Sequence, residues 1–302
     1  NYRYDTLVNF MPLNQIRGVN KLFTTVNDKL PDDGLWVCCY EPQSVTKRNI
    51  LHRYPPVLNW LYYIAFFLYK RVLPKMIMTS RLYFDITEGK DRVLSKAEVL
   101  GRLCYCGFEI VTERKIGDLN YVIARRQFRP QLTNRRLYGI FVKLKRVGKG
   151  GKKFNVFKLR TMHPYSEFLQ AYIYNRYSLQ EGGKFNHDIR VTTLGRIARK
   201  YWLDELPMLL NLIKGDMKLV GVRPISQHYF SLYSPELQAK RICHKPGLLP
   251  PFYADMPKTL EEIEDSEMRY LTMCEEKGTF KTDIIYFWRI FYTIVFKRAR
   301  SH

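Results

Sequence analysis

The sequence predicts an α/β protein of two domains that carries helices at a membrane surface, and three observations support that class. Helix-period and strand-period stretches alternate along the 302 residues. Two aromatic-rich apolar segments, 57–69 and 284–296, each run directly into basic residues. Residues 119–166 hold thirteen Lys or Arg and no Asp or Glu. The composition, 46% hydrophobic and 26% charged, excludes wholesale disorder. A formal charge of +22 and a pI near 9.7 call for a polyanionic partner, which could be nucleic acid, an anionic lipid surface or a phosphate-rich substrate.

From the start of the chain, Leu13, Ile16, Val19, Leu22, Phe23, Val26 and Leu30 fall on one face of a helix over 13–30. Pro31-Asp32-Asp33-Gly34 turns the chain into an apolar strand at 35–40. Ser95 with Glu98 three residues on is a capping-box start for a helix running to about Cys106. Gly107 ends that helix, and strands at 108–113 and 121–125 follow, joined through Gly117-Asp118. The six cysteines (38, 39, 104, 106, 243 and 274) form no C-x-x-C pair and have no His at finger spacing, so reduced thiols in a cytosolic compartment are expected and no structural zinc. Asn1 is not an initiator Met and no basic-plus-apolar leader follows it, so no secretory signal is expected.

As a helix, 57–69 would reach about 20 Å at ~1.5 Å per residue, short of the ~30 Å of a bilayer core. Its aromatics and the Lys70-Arg71 flank suit a helix lying in one leaflet, and a buried core helix is the alternative. Segment 284–296, apolar except for Arg289 and followed by a basic tail, reads the same way. In the basic block, the alternation of 141–147 predicts a strand, and Gly148, Gly150 and Gly151 turn it into a second strand at 154–159. Such a hairpin can serve substrate phosphates, lipid headgroups or nucleic acid, or simply be a solvated face.

Residues 206–213 predict a short apolar helix with Pro207 in its first turn. Asp204 and Glu205 then stand at its N-terminus, where the backbone N–H groups and the dipole favour negative charge. Adjacent carboxylates often do no more than cap a helix. They can also divide chemical labour, one attacking phosphorus and the other holding Mg²⁺ against substrate oxygens. Lys214-Gly215-Asp216 stops the helix, and Leu219-Val220 leads into a Gly221-Val222-Arg223-Pro224 turn that fixes Arg223.

Two family resemblances follow from these motifs. The element order of roughly the first 125 residues, with Leu30-Pro-Asp-Asp-Gly-Leu-Trp-Val37 at the turn into a strand, resembles the C-terminal half of a class I methyltransferase. It implies an incomplete Rossmann-like domain at 1–128, a fold rather than an activity, because the glycine-rich donor loop lies upstream in that fold, and whether this domain does chemistry is left open. Residues ~136–300 resemble the bacterial sugar transferases, the monotopic polyprenyl-phosphate phosphoglycosyl transferases. The matching runs are Leu203-Asp-Glu-Leu-Pro207, Lys214-Gly-Asp-Met-Lys-Leu-Val-Gly-Val-Arg-Pro224, Phe157-Lys-Leu-Arg-Thr-Met162, Asp188-x-Arg190, Gly195-Arg196-x-x-Arg199, Lys245-Pro246-Gly247 and the stretch at Asp283.

The second resemblance implies an α/β phosphoglycosyl transferase domain at 129–302, with Asp204 as the nucleophile on a nucleoside diphosphate sugar, most naturally a UDP-sugar. It further implies that Glu205, together with Asp204, holds Mg²⁺, and that Arg223, Lys158, Arg160, Arg190 and Arg199 bind substrate phosphates. The acceptor would be polyprenyl phosphate at the cytoplasmic face of the bacterial inner membrane, with an anionic membrane surface and no nucleic acid as partner; the oligomeric state is left open. A nucleic-acid-binding protein and a catalytically dead membrane scaffold are the rivals. The chain departs from the family pattern at Val222, at 248–257 after Gly247, at Glu267 in the Asp-x-x-Tyr position before Tyr270, and in lacking a re-entrant helix directly before the catalytic domain. Segment 57–69 is the candidate replacement for that helix. His163 is the one histidine expected near substrate.

Overall fold

The computed structural model describes residues 4–76, 78–130, 137–176 and 188–296. Arg135, Arg136, His187 and the basic tail at 297–300, all singled out in the sequence, lie outside the described residues. In place of a single cut at 128/129, the described residues divide into two compact units: 4–139 with 162–176 and 188–190, and 140–161 with 191–296.

In the first unit, β1 (Thr6–Asn9) pairs in parallel with β2 (Leu35–Tyr40), and β2 pairs antiparallel with β4 (Leu119–Arg126), which in turn takes β3 (Phe108–Ile116) at the edge. Helices α1 (Val19–Lys29), α2 (Gln43–Arg53), α3 (Leu58–Phe67), α4 (Ser80–Thr87) and α5 (Lys96–Tyr105) connect these strands, and α6 (Gln170–Arg176) returns to the unit later in the chain. The expected order of helix, strand, helix and hairpin is thus present. Its core sets Phe23 edge-on to Trp36 at 4.8 Å and Trp36 against Phe108 at 5.4 Å. Tyr165, Leu169 and Ile173 are buried in the same core, so 162–176 belongs here although it follows the next hairpin in sequence.

The helix expected over 13–30 is broken. Leu13–Gln15 is a single 3₁₀ turn, and α1 starts only at Val19. Asn14 turns inward, where its amide donates to the Glu41 and Arg92 carbonyls at 3.0 and 2.8 Å and its Oδ1 accepts from the Glu41 N–H at 2.8 Å. The Arg92 guanidinium takes the Ile16 carbonyl. Backbone groups that a continuous helix would have paired internally are held by tertiary partners instead. The Ser95 cap is present, its hydroxyl accepting from the Glu98 N–H at 3.3 Å. Buried Glu98 then receives Arg71, Lys75 and Arg102 at 2.6 to 2.9 Å. Burial pushes its pKa up, but these three cations together hold the carboxyl well below the usual range.

In the second unit, β5 (Phe141–Val147) and β6 (Lys153–Leu159) form the expected basic hairpin, turning at Lys149–Gly151 with Gly150 and Gly151 at positive φ. After α7 (Thr193–Lys200) come a 3₁₀ helix, Leu203–Met208, and α8 (Leu209–Ile213). Strand β7 (Lys218–Val220), α9 (Gln227–Ser231), α10 (Pro235–Cys243) and β8 (Gly247–Leu249) follow, with β7 and β8 parallel. The unit closes with α11 (Phe252–Asp255), α12 (Leu260–Lys277) and α13 (Thr279–Phe296). Tyr233, Leu237, Tyr270, Leu271, Tyr286 and Ile290 form the core between the last helices. Among the described residues, no helix is long and apolar enough to cross a membrane.

Candidate active site

The two carboxylates lie within a helix rather than before one. Asp204 and Glu205 occupy the first turn of the 3₁₀ helix Leu203–Met208, and α8 begins only at Leu209. The expected helix over 206–213 is therefore split. Pro207 lacks an N–H and suits the tighter turn that precedes the α-helix. Trp202 enters that turn at φ 60° with its ring 4.5 Å from Tyr253. Asp204 and Glu205 are only 7% and 8% exposed, so both carboxylates sit where water is scarce.

Strand β6 brings the first cation. Asn211 on α8 is fully buried; its Oδ1 accepts from the Phe157 N–H at 3.1 Å and its amide donates to the Asn155 carbonyl at 2.8 Å. That clamp fixes β6 against the helix and delivers the Lys158 ammonium to Glu205 Oε1 at 2.6 Å. Asn211→Ala would leave an inward N–H and carbonyl unpaired and is expected to cost about 2–3 kcal/mol of folding stability. Urea unfolding checks this, and an unchanged midpoint would count against the clamp.

Two glycines show why their motifs need them. The Thr161 carbonyl accepts from the Thr192 N–H at 2.9 Å and packs so closely on Gly195 that a Cβ there would lie 2.0 Å from its oxygen. This contact seats α7, whose Arg199 Nε donates to the Thr161 hydroxyl at 2.9 Å. Likewise β7 and β8 meet so tightly that a Cβ on Gly247 would lie 2.1 Å from the Gly221 nitrogen. The pairing shapes the turn carrying Arg223, whose carbonyl accepts from Arg241 at 2.5 Å. Arg241 is itself buried against Glu267, so the carboxylate in the Asp-x-x-Tyr position props this turn from behind. Val222, where the family pattern has proline, is 2% exposed and packs into the core.

Lys158, Glu205, Arg146, Arg223 and Tyr253 line one cavity of ≈ 60 Å³. That is space for a few waters, the scale of a phosphoryl group rather than of a whole sugar nucleotide. Arg146 belongs to the basic block but was not singled out as a site residue. Burial, and then the neighbouring Arg223, lower its pKa, as expected for two cations sharing one space. Arg160 follows β6 directly, its N–H donating to the Ile140 carbonyl at 2.6 Å. Arg190 is paired within its own unit. It belongs to the first unit, where its guanidinium grips Asp188 at 2.7 Å and reaches Gln170. His163 is also in the first unit, 3.1 Å from Arg71, with its pKa lowered to about 3 by burial and by Arg71, so it is a neutral structural group.

Asp204 Oδ1 is buried with no hydrogen-bond partner among the described residues. The Asp204 pKa is raised by burial; Lys158 and Arg199 pull it down, and Glu205 pushes it up. A buried carboxylate oxygen without a donor is costly unless something else satisfies it. That orphan oxygen, beside a second carboxylate, fits a hard divalent cation such as Mg²⁺. No cluster of three or more His, Cys, Asp or Glu occurs among the described residues, so such an ion would draw its remaining oxygens from water and phosphate.

The arrangement defines a class: an α/β protein with a buried acid pair, one member of which, Glu205, lines a phosphate-sized basic cavity while Asp204 stands next to it in the chain. Comparison with known proteins makes it more specific. The model of the bacterial sugar transferase family matches residues 131–297, and the chain belongs to that family. It is 39% identical over 109 residues to the uncharacterized sugar transferase EpsL of Bacillus subtilis, covering 36% of this chain and 48% of that protein. It is 43% identical over 109 residues to the UDP-glucose:undecaprenyl-phosphate glucose-1-phosphate transferase of Caulobacter vibrioides, covering 34% and 36%. It is 40% identical over 108 residues to the undecaprenyl-phosphate galactose phosphotransferase of Salmonella typhimurium, covering 34% and 22%. The match thus spans less than half the length of each of these relatives.

Proposed function

We propose that the protein transfers a sugar 1-phosphate from a nucleoside diphosphate sugar, a UDP-sugar first, to polyprenyl phosphate, releasing the nucleoside monophosphate and initiating surface glycan assembly. The observation that carries this reading is the unpartnered Asp204 carboxylate oxygen beside a cavity where Glu205 meets Lys158, Arg146 and Arg223. Asp204 attacks the β-phosphorus; an O–P bond forms, the bond to the α-phosphate oxygen breaks, and its electron pair leaves with the nucleoside monophosphate. A phosphate oxygen of the polyprenyl phosphate then attacks the same phosphorus, and the Asp204 carboxylate is released unchanged. Burial strips water from the nucleophile, while Arg223, Arg146 and Lys158 supply preset positive charge to the phosphoryl oxygens. Arg199 and Arg160, at the ends of α7 and β6, add to the same field. Mg²⁺ held by Glu205 and Asp204 would neutralise the diphosphate and the departing oxygen.

The acceptor is a lipid, and the site's own helices are apolar on the outside. Leu206, Leu209, Leu210 and Ile213 are 45–82% exposed around the acid pair, and Trp288, Phe291 and Val295 are exposed along α13. Exposed apolar faces of this size suit a bilayer surface, at the cytoplasmic face of the inner membrane in this reading. The test is UMP release from a panel of UDP-sugars in the presence of undecaprenyl phosphate and Mg²⁺. Release that depends on the lipid phosphate is expected for at least one sugar, and none across the panel, with other nucleotides included, would refute the proposal.

A further inference from the structure

We infer that the first unit carries its own bilayer-docking face, built by α3 and α4, whose partner is an anionic lipid surface. This deepens the membrane part of the proposed function and does not require the chemistry at Asp204. Helix α3 is inside out relative to a helix facing water. Its polar Asn59 points inward at 9% exposure, its amide donating to the Leu51 carbonyl at 2.9 Å, and Tyr63 packs beside it at 8%. Outward stand Leu58, Trp60, Leu61, Ile64 and, directly after the helix, Leu68, each 49–60% exposed. A water-facing helix shows the reverse pattern.

Helix α4 repeats it, with Tyr83 at 3% exposure inward and Leu82 and Ile86 at 64% and 66% outward. The turn that follows α3 is tied to α4 through the Tyr69 and Tyr83 rings at 5.5 Å. Exposed apolar side chains grouped on helix faces in this way mark an interaction surface.

Charge identifies the partner. Residues 42–84 contain seven Lys or Arg, of which Arg71 and Lys75 are paired with Glu98 and Arg48 with Asp118. Lys47 sits 4.6 Å over the Trp60 ring and Lys70 5.5 Å over Tyr69, so cations rim the apolar face at its aromatic edge. Apolar side chains at the centre, with Trp60 and Tyr69 at the margin under Lys47 and Lys70, are what the headgroup region of an anionic leaflet selects, and the nearby acids Asp85 and Asp91 are matched by Arg17 and Lys70. Ten helical residues reach only about 15 Å, so α3 lies in the leaflet and does not span it.

The test is sedimentation of the full chain, without substrate, on phosphatidylcholine vesicles with and without phosphatidylglycerol. The parent is expected to prefer the anionic vesicles, and Leu61→Ser/Ile64→Ser/Leu68→Ser to bind them about 10-fold more weakly. Circular dichroism should be unchanged, because all three side chains are already exposed. Asp204→Asn should bind as the parent does, which separates docking from the proposed reaction. Parental binding by the triple-serine variant would overturn the inference. So would loss of self-association in that variant with vesicle binding intact, since the face would then be a protein interface.

Discussion

Asp204→Asn is expected to abolish sugar-phosphate transfer, lowering kcat by about 10⁴-fold or more, because the substitution keeps the shape of the side chain and removes its nucleophile. Acid-quenched parent protein incubated with a nucleoside diphosphate sugar labelled in the sugar should retain label, and the variant should not. The raised Asp204 pKa sets the pH dependence. Asp204 must be ionised to attack, so kcat/KM should fall as pH drops through a pKa above the ordinary aspartate value. Lys158 stabilises the ionised form, so Lys158→Met should move that limb to higher pH. Glu205 opposes it, so Glu205→Gln should move the limb to lower pH while weakening the Mg²⁺ dependence. The folded state binds this proton more tightly than the unfolded chain, so stability declines as pH rises through the same window. Above it, Asp204→Asn should be more stable than the parent. Full transfer activity in Asp204→Asn, or limbs moving together in the two neighbour variants, would remove Asp204 from the nucleophile's role.

Where spacing and turn chemistry suffice, the sequence carried the fold: the β5–β6 hairpin, strand β2 and the Ser95-capped α5 all stand where their patterns put them. The break at residues 16–18 could not be read this way. Periodicity reports which face is apolar, and Leu13 and Val19 are indeed buried, but it is silent on Asn14 being drawn away by Glu41 and Arg92. In the site, Lys158, Glu205 and Arg223 converge as a set of motifs far apart in sequence. Arg190 belongs to the first unit, where it closes a local pair with Asp188 two residues away. Arg146 and Tyr253 were hidden for the opposite reason. One was a single member of a long basic run, and the other stood in the stretch after Gly247 where the family pattern fails. The unpartnered oxygen of Asp204 is a property of three-dimensional burial and has no sequence signal at all.

Arg223→Ala is expected to lower kcat/KM by about 10²–10³-fold. Three features place this residue at the cavity. Its backbone is pinned by the close β7–β8 pairing and by the Arg241 bond to its carbonyl, and its charge lies 5.4 Å over the Phe252 ring. An anchored backbone and a ring contact keep the charge at the cavity, where it can act on a transferring phosphoryl group. Arg146 shares the cavity and supplies part of the same field, so the loss should stay below that of removing the nucleophile. Arg223→Lys should recover only about 10-fold, since an ammonium restores charge without the planar fork that grips two phosphate oxygens. The split between parameters separates a substrate contact from a structural prop. If Arg223 meets the charge that develops as the nucleoside monophosphate leaves, kcat falls more than KM rises. If it only props the turn, Arg223→Ala should lower stability as removing Arg241 does, and Arg223→Lys should lose as much activity as Arg223→Ala. That outcome, or an alanine variant within about threefold of the parent, would leave Arg146 and Lys158 as the phosphate-binding groups and Arg223 as part of the wall.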